Sequence, residues 1–172
     1  AQLNGTVFAP TNAAFEQLPA PFNSASSISA ISDAGTINTL REIIRYHVVQ
    51  GARKAANLPN GSYATFKTAF APQGNLLFVS RSIGGDVFVN GATKVVAADV
   101  QASNGVIHVV DKVLFYPTQD IAQVAISNGN FKALVAALQK TNLTNVFMAT
   151  ATNATVFAPT DAAFAKLPEP LN

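Results

Sequence analysis

The apolar positions of this chain change their spacing along the sequence, from a helical period to a period of two. The stretch INTLREIIRYHVVQG, residues 37–51, has the helical period, with charged side chains such as Arg41 on the opposite side. The side chains predicted to share its apolar face are Leu40, Ile43, Ile44, His47 and Val48. Gly51 is a suitable C-terminal stop. We therefore predict a long amphipathic helix that runs to Gly51.

From about residue 60, apolar and polar residues alternate, which predicts strands. The predicted strands lie in SYATF, LLFVSRS, DVFVNGATKVVAADV and GVIHVVDKVLFYP. The Asn90-Gly91 pair between two of them is typical of a type I′ hairpin turn. Residues 106–115 are apolar on both faces, which predicts a central strand. Helices and strands together indicate an α+β fold.

After Pro117 the helical spacing returns. The stretch TQDIAQVAISNGNFKALVAALQKTNL predicts two helices that separate at Asn128-Gly129, with Asn130 as the cap of the second. Their apolar stripe consists of Ile121, Val124, Phe131, Leu134, Val135 and Leu138. A stripe of this size left in water would expose a large apolar surface. We therefore expect these helices to pack on a protein core.

The chain repeats one short sequence near its two ends. TVFAPTNAAF occupies residues 6–15, and TVFAPTDAAF occupies residues 155–164, which is 149 residues later. We call them the first and the second motif copy. In each, TVFAP predicts a strand that leads into a short helix, capped by Thr11 or Asn12 in the first copy and by Asp161 in the second. The spacing is too long for a solenoid repeat and suits a repeated domain.

Composition and charge exclude several classes of protein. Of the 172 residues, 49% are hydrophobic and 12% are charged, which is typical of a globular chain, and no apolar run approaches the length of a membrane span. The formal net charge is +2 and the basic residues are scattered, unlike the basic stripe of nucleic-acid binders. The absence of cysteine excludes disulfides, thiolate metal sites and a cysteine nucleophile.

The sequence predicts no enzymatic activity, no cofactor and no metal site. His108 and Asp111 are three residues apart on a predicted strand, so their side chains point to opposite faces. The two histidines lack the spacing of metal ligands, and the serines lie in no G-x-S-x-G sequence. Asp86 and Asp99 are isolated carboxylates in the sequence. His47, on the apolar face of its helix, is interpreted as a buried histidine that is hydrogen-bonded to the backbone.

Three motifs resemble signatures of the fasciclin (FAS1) domain family, and they occur in the family's order. They are TVFAPTNAAFEQLP, the Tyr46-His47 pair within IIRYHVVQG, and NGVIHVVDKVLFYP from Asn104 to Pro117. The resemblance extends over essentially the whole chain. It implies an α+β fold in which a twisted β-sandwich or wedge is packed with helices.

FAS1 domains begin with two helices before the first signature, whereas here such helices follow the closing signature. The resemblance therefore implies that residues 1–117 are the main body of one domain and that residues 118–172 open a following repeat. The chain would then be an out-of-phase fragment of a tandem FAS1 protein. We expect the helices to complete the body within the chain or by swapping between copies.

The second motif copy is surplus in a self-contained domain. We expect it at an edge or at a contact between chains, where it would support a homo-oligomer. The candidate association residues are Thr155, Val156, Phe157 and Phe164.

The resemblance implies an extracellular cell-adhesion or matrix-interaction module, secreted or at the cell surface, whose partners are proteins or glycans. Tyr46, as a surface aromatic, and His47 are the recognition residues that it implies. The alternative is a carrier of an apolar small ligand such as a carotenoid. Acceptor sequences for N-glycosylation, relevant in a secreting eukaryote, occur at Asn4, Asn60, Asn142 and Asn153.

Overall fold

The computed structural model of the chain describes residues 4–65, 76–148 and 155–168. The chain divides into two compact units, Ala1–Tyr116 and Pro117–Asn172. Within the described residues, the strands all belong to the first unit, and the second unit is helical. Asn153, one of the predicted glycosylation acceptors, lies outside the described residues.

Seven strands of the first unit form one sheet. Their bounds are β1 Gly5–Pro10, β2 Val48–Gln50, β3 Gly61–Ala64, β4 Leu76–Arg81, β5 Val87–Val89, β6 Thr93–Ala102 and β7 Gly105–Val110. The order across the sheet is β2-β1-β7-β6-β5-β4-β3, and only β1 and β7 are parallel neighbours. A bridge between Val49 and Thr65 joins the two edges, so the sheet curls into a twisted wedge. Together with the helices, this confirms the predicted α+β fold.

Three α-helices lie between β1 and β2, and four follow β7 in the part of the chain that the structure describes. Their bounds are α1 Asn12–Glu16, α2 Ala25–Ser29, α3 Ala34–Tyr46, α4 Ile121–Ser127, α5 Lys132–Lys140, α6 Thr144–Met148 and α7 Asp161–Phe164. Side-chain caps explain where several begin: Thr11 accepts a hydrogen bond from the backbone of α1, and Asp33 accepts one from the backbone of α3. Of the two predicted caps of the first motif copy, Thr11 is therefore the one in use.

The core of the first unit lies on one face of the sheet. Thr6 and Phe8 of β1 and His108 and Val110 of β7 are fully buried. Further core side chains are Tyr46, Val49, Leu58, Leu77, Val79, Val87, Val89 and Leu114. The intervening residues of β1 and β7 are half-buried, so this part of the sheet is apolar on both faces. β7 pairs with β1 on one side and β6 on the other, as a central strand does.

β1 and β7 lie unusually close together where Gly5 faces Gly105. A Cβ atom added to Gly105 would lie 2.2 Å from the carbonyl oxygen of Gly5. This distance is far inside van der Waals contact, so the two strands can meet here only because residue 105 has no side chain.

Helix α3 ends earlier than its pattern predicts, and its buried face differs from the predicted one. Val48 and Val49 leave the helix and pair with β1 as strand β2, so Gly51 follows a strand instead of a helix. Valine favours strands, and the edge of β1 supplies the hydrogen-bond partners. Ile44, predicted on the apolar face, is 55% exposed, and Tyr46 is buried instead.

Two further elements lie where they were predicted but differ from the prediction in length. The central strand ends at Val110 instead of Phe115, because the chain then turns so that the backbone N–H of Leu114 meets His47. The Asn90-Gly91 hairpin is present, with positive φ at both residues. Val89 pairs with Thr93, however, so the loop has one residue more than a type I′ turn.

The second motif copy folds differently from the first. Residues 155–160 form no strand, although α7 follows them as predicted. Asp161 does not cap its own helix: its carboxylate accepts a hydrogen bond from the backbone of Ala133 at 2.8 Å, and its N–H donates to Asn130 at 2.8 Å. Asp161, rather than Asn130, therefore caps α5, whose own N-cap residue, Phe131, makes no side-chain capping hydrogen bond.

The predicted apolar stripe of the second unit is only half covered within that unit. Ile121, Phe131, Leu134, Val135 and Leu138 are half-buried, and Val124 is exposed. Among the described residues after Tyr116, only Ala122 and Ala125 are buried. These helices thus keep much of their apolar surface available.

Candidate interaction site

Tyr46, at the end of α3, lies in the core and not at the surface. Its side chain is 1% exposed. The hydroxyl donates to the carbonyl oxygen of Leu76 at 2.7 Å and accepts from Nδ2 of Asn90 at 3.1 Å, and the ring meets Tyr116 edge-on. The predicted surface position of Tyr46 is therefore wrong, while its part in recognition stays a prediction.

His47, the next residue, uses both ring nitrogens to bind the backbone. Nδ1 donates to the carbonyl oxygen of Ile43 at 2.7 Å, and Nε2 accepts from the N–H of Leu114 at 2.9 Å. These partners assign the neutral Nδ1–H tautomer. The interpretation of His47 as a buried, backbone-bonded histidine is confirmed, and it ties the end of α3 to the segment after β7.

Burial shifts the acidity of both side chains toward the neutral form. Loss of solvation lowers the pKa of His47, partly opposed by its hydrogen bond to Ile43. Loss of solvation also raises the pKa of the Tyr46 hydroxyl, partly opposed by its bond from Asn90. The pair is therefore uncharged near neutral pH.

The backbone segments that this pair holds each present an exposed phenylalanine. Asn90, bonded to Tyr46, also accepts a hydrogen bond from the N–H of Phe78, whose side chain is 56% exposed. Leu114, bonded to His47, directly precedes Phe115, which is 51% exposed. We call Phe78 and Phe115 the exposed phenylalanines. Sequence reasoning missed them because both occur in strand-like apolar runs that suggest burial.

The second histidine lies beside Asp99, not beside Asp111. His108 is fully buried; Nε2 donates to the carbonyl oxygen of Arg53 at 2.9 Å, and Nδ1 accepts from the N–H of Asp99 at 3.2 Å. The Asp99 carboxylate, 4.0 Å from Nδ1, accepts from the N–H of Ala55. An irregularity in β6, with positive φ at Asp99, brings the two residues together. Asp99 is thus not isolated, and every one of these contacts is structural.

The other candidate chemical groups form no reactive cluster in the part of the chain that the structure describes. Asp86, interpreted as isolated, pairs with Lys94 at 2.8 Å. No group of three or more His, Cys, Asp or Glu side chains converges there as a metal site. None of the described helices has the length and hydropathy needed to cross a membrane.

The candidate association residues of the second motif copy face two environments. Thr155 and Phe157 are exposed, and Phe157 is 91% exposed, whereas its counterpart Phe8 in the first copy is fully buried. Val156 and Phe164 are half-buried. The side of the motif that is buried in the core in the first copy is therefore exposed to solvent in the second copy.

The helices of the second unit and the second motif copy line an apolar cavity of about 330 Å³ that is partly open to solvent. Its walls include Ile121, Leu134, Phe147, Val156 and Ala158. Its polar wall residues, Gln119 and Asp120, lie at the start of α4, where the carboxylate of Asp120 already caps the helix. The cavity can accept an apolar group.

Three of the predicted glycosylation acceptors are described, and all three are exposed: Asn4, Asn60 and Asn142. The acceptor sequence at Asn4 includes Thr6, which is fully buried and bonded to Gly51 and Arg53. Modification at any of them stays a prediction.

Comparisons with known proteins find a matching family model and several relatives. The family model of the Fasciclin domain matches residues 1–117 and 129–172. Protein sll1483 of Synechocystis sp. is 41% identical over 112 residues, which are 65% of this chain and 55% of that protein. Transforming growth factor-beta-induced protein ig-h3 of Sus scrofa is 32% identical over 168 residues, 97% of this chain and 23% of that protein.

Immunogenic protein MPB70 of Mycobacterium bovis is 36% identical over 115 residues, 65% of this chain and 50% of that protein. This chain thus spans about half, or less, of the length of these relatives. A FAS1 domain pair from the insect cell adhesion molecule Fasciclin I is similar with a TM-score of 0.48 and 20% identity, over 95% of this chain and 54% of that one. The match of the family model to most of the sequence shows that this chain belongs to the Fasciclin domain family.

Proposed function

We propose that this chain is an extracellular cell-adhesion or matrix-interaction module, part of a tandem array, which binds proteins or glycans and catalyses no reaction. The Fasciclin domain match carries this proposal, because the resemblance to that family implies adhesion. The geometry supports it: both nitrogens of each histidine are bonded to the backbone, which leaves neither ring free for proton transfer. In this proposal, residues 1–117 are one domain body and residues 118–172 open a following repeat.

The exposed phenylalanines are the surface that we propose for recognition. Exposed aromatic side chains are enriched where proteins bind one another. Tyr46 and His47 then serve recognition as positioning residues, because their hydrogen bonds hold the backbone next to Phe78 and Phe115.

Cell attachment tests this surface. Wells coated with the chain should retain more cells than uncoated wells, and the double variant Phe78→Ser, Phe115→Ser should lose most of that attachment. Ile83→Ser is the matched control, because Ile83 is fully exposed in the turn between β4 and β5. No attachment to the unaltered chain would overturn the adhesion proposal; equal loss in the control would overturn the assignment of the surface.

We also propose that copies of the chain associate with each other, with the second motif copy at the association site. The exposure of Phe157 supports this proposal. Exposed apolar side chains that lie together mark surfaces at which proteins bind one another. Sedimentation over a range of concentrations measures the association directly, and a monomer at every concentration would contradict it.

A carrier of an apolar small ligand is the second candidate, and the cavity of about 330 Å³ favours it. This volume is at the lower end of ligand pockets, which span about 300–1,000 Å³. Native mass spectrometry of the purified chain, and its absorption spectrum for a carotenoid, test the proposal. Leu134→Trp should abolish any bound mass, because the larger ring fills the cavity, whereas Leu143→Trp outside the lining should not.

A further inference from the structure

The first unit carries an apolar sheet face opposite to its core. We call it the outer face. Its residues, half-buried or exposed, form two rows across neighbouring strands: Val48, Val7, Ile107 and Val100 in one, and Ala9, Val109 and Ala97 in the other. Parallel strands such as β1 and β7 are normally covered on both faces. The outer face therefore has the character of a surface that another element covers.

The second unit places the same sequence beside its helices. Val156 and Ala158 of the second motif copy line the apolar cavity together with side chains of α4, α5 and α6. Their counterparts in the first copy are Val7 and Ala9, which belong to the outer face. The second copy thus turns toward the helices the same side chains that β1 turns away from its core.

The cap of α5 points to the same exchange. Asp161 of the second copy supplies this cap through its contact with Ala133. The counterpart in the first copy is Asn12, which is exposed and makes no side-chain hydrogen bond within the described residues. Asparagine caps helices as well as aspartate does, so the first copy can replace the second at α5.

We propose that helices α4–α6 of one copy dock on the outer face of a second copy, where Asn12 takes the place of Asp161. The inference rests on the proposed self-association of the chain, and it assigns the contact to these two surfaces instead of to the second motif copy. The exchange releases the second motif copy, because this copy is held by two hydrogen bonds of Asp161 and by no strand pairing. The first copy stays in place, since β1 is hydrogen-bonded to a strand on each side.

Charge favours the first motif copy as the partner of these helices. Residues 121–148 contain Lys132 and Lys140 and no acidic residue. The short helix of the first copy ends with Glu16, whereas Ala165 and then Lys166 occupy this part of the second copy. Opposite charges across an interface favour the correct pairing, and like charges oppose it.

Disulfide trapping between two single variants tests the docking, since the natural chain has no cysteine. One variant is Asn12→Cys and the other is Ala133→Cys. In the equivalent contact of the second copy, the backbone nitrogen of Ala133 lies 2.8 Å from Oδ1 of Asp161. Under mild oxidation, the mixture should form the mixed disulfide-linked dimer several-fold more than a mixture of Asn38→Cys and Ala133→Cys. Asn38 is the matched control because it is an exposed asparagine on α3.

Three further variants make the result specific. Asp161→Ala in the Ala133→Cys chain should raise the yield, because it removes the cap that holds the competing copy. Val100→Lys in the Asn12→Cys chain should lower the yield, since it places a charge on the outer face, while Ile83→Lys should not. The double variant Asn12→Cys, Ala133→Cys should form dimers rather than a cross-linked monomer.

A mixed dimer no more abundant than in the Asn38 control would overturn the inference, as would a cross-linked monomer from the double variant. If sedimentation shows dimers but this disulfide does not form, the inference fails and the proposed self-association stands. If sedimentation shows only monomers, the proposed self-association fails, and the inference fails with it.

Discussion

Tyr46 and His47 act as buried connectors between the end of one helix and two loops. Their polar atoms are all directed at backbone groups or at Asn90, and none faces solvent. A change in either residue therefore acts directly on the free energy of unfolding.

His47→Ala should lower the free energy of unfolding by about 1–3 kcal/mol, because it leaves the N–H of Leu114 and the carbonyl of Ile43 unpaired and opens a small cavity. Urea denaturation measures the loss. Ile44→Ala, on the exposed side of the same helix, is the control and should change the stability by less than about 0.5 kcal/mol. Equal losses in the two variants would contradict the structural role of His47.

Stability should fall as the pH is lowered from about 7.5 to 5.5. The pKa of His47 is lowered in the folded chain, so below its unfolded value of about 6.5 the unfolded chain binds more protons than the folded one. The loss due to this residue is at most about 1.4 kcal/mol per pH unit below that value. Urea denaturation at both pH values measures it, and His47→Gln should flatten the dependence; an identical slope in the variant would contradict this origin.

At the scale of elements, the repeated motif has two sides, and their surroundings differ between the two copies. In the first copy the face with Thr6 and Phe8 is buried, and in the second copy the face with Val156 and Ala158 lines a cavity together with helices. Two predictions test the contacts that fix each copy in its place.

Gly105→Ala should destabilise the first unit by about 1–3 kcal/mol, because the added methyl group would overlap the carbonyl of Gly5 in the neighbouring strand. Gly84→Ala is a matched control: its added Cβ would lie 3.7 Å from the nearest atom, an ordinary contact. Thermal unfolding monitored by circular dichroism compares the two variants. A control that loses as much stability as the variant would contradict the close approach of β1 and β7.

Asp161→Ala should destabilise α5 by about 1 kcal/mol, as the loss of a helix cap does. Hydrogen exchange should quicken at the first amides of α5, including Ala133, and stay unchanged in β1 and β7. Asp161→Asn keeps an acceptor oxygen and should preserve most of the protection. Slower exchange, or the same acceleration in both variants, would show that the carboxylate is not the cap.

The sequence pattern predicted the kinds of elements well and their ends poorly. Alternation located the strands, but Val48 and Val49 fit either the end of a helix or a strand, and only the edge of β1 decides between them. The helical spacing marked Ile43 correctly, yet the buried stripe continues through Tyr46 and not through Ile44. The bond between Asp161 and α5 could not be predicted, because its two residues are 28 positions apart.

At the scale of the whole molecule, the two units differ in how much they bury. The first has an extended core, while the described part of the second buries only Ala122 and Ala125. The repeated motif and the signatures predicted a domain and the start of another. They could not predict that the second copy would form no strand, since its six leading residues are identical to those of the first.

We expect the second unit to unfold at a lower urea concentration than the first. All three tyrosines, Tyr46, Tyr63 and Tyr116, belong to the first unit, and the chain has no tryptophan. Tyrosine fluorescence therefore reports on the first unit alone, whereas far-UV circular dichroism reports on both. The two transitions should not coincide, and the dichroism should change first; superimposable curves would show one cooperative transition.

The parallel pairing of β1 with β7 also determines how late in biosynthesis the sheet can form. Gly5 of β1 pairs with Gly105 of β7. β1 can therefore pair with β7 only after about 100 more residues have been synthesised. At about 5–20 residues per second, the ribosome takes roughly 5–20 s to supply them. During that interval β2 is the first neighbouring strand of β1 to be synthesised. Phe8 of β1 then still lacks its ring contact with His108. A nascent chain of this kind is therefore most exposed to chaperones and to mispairing before residue 110 has left the exit tunnel.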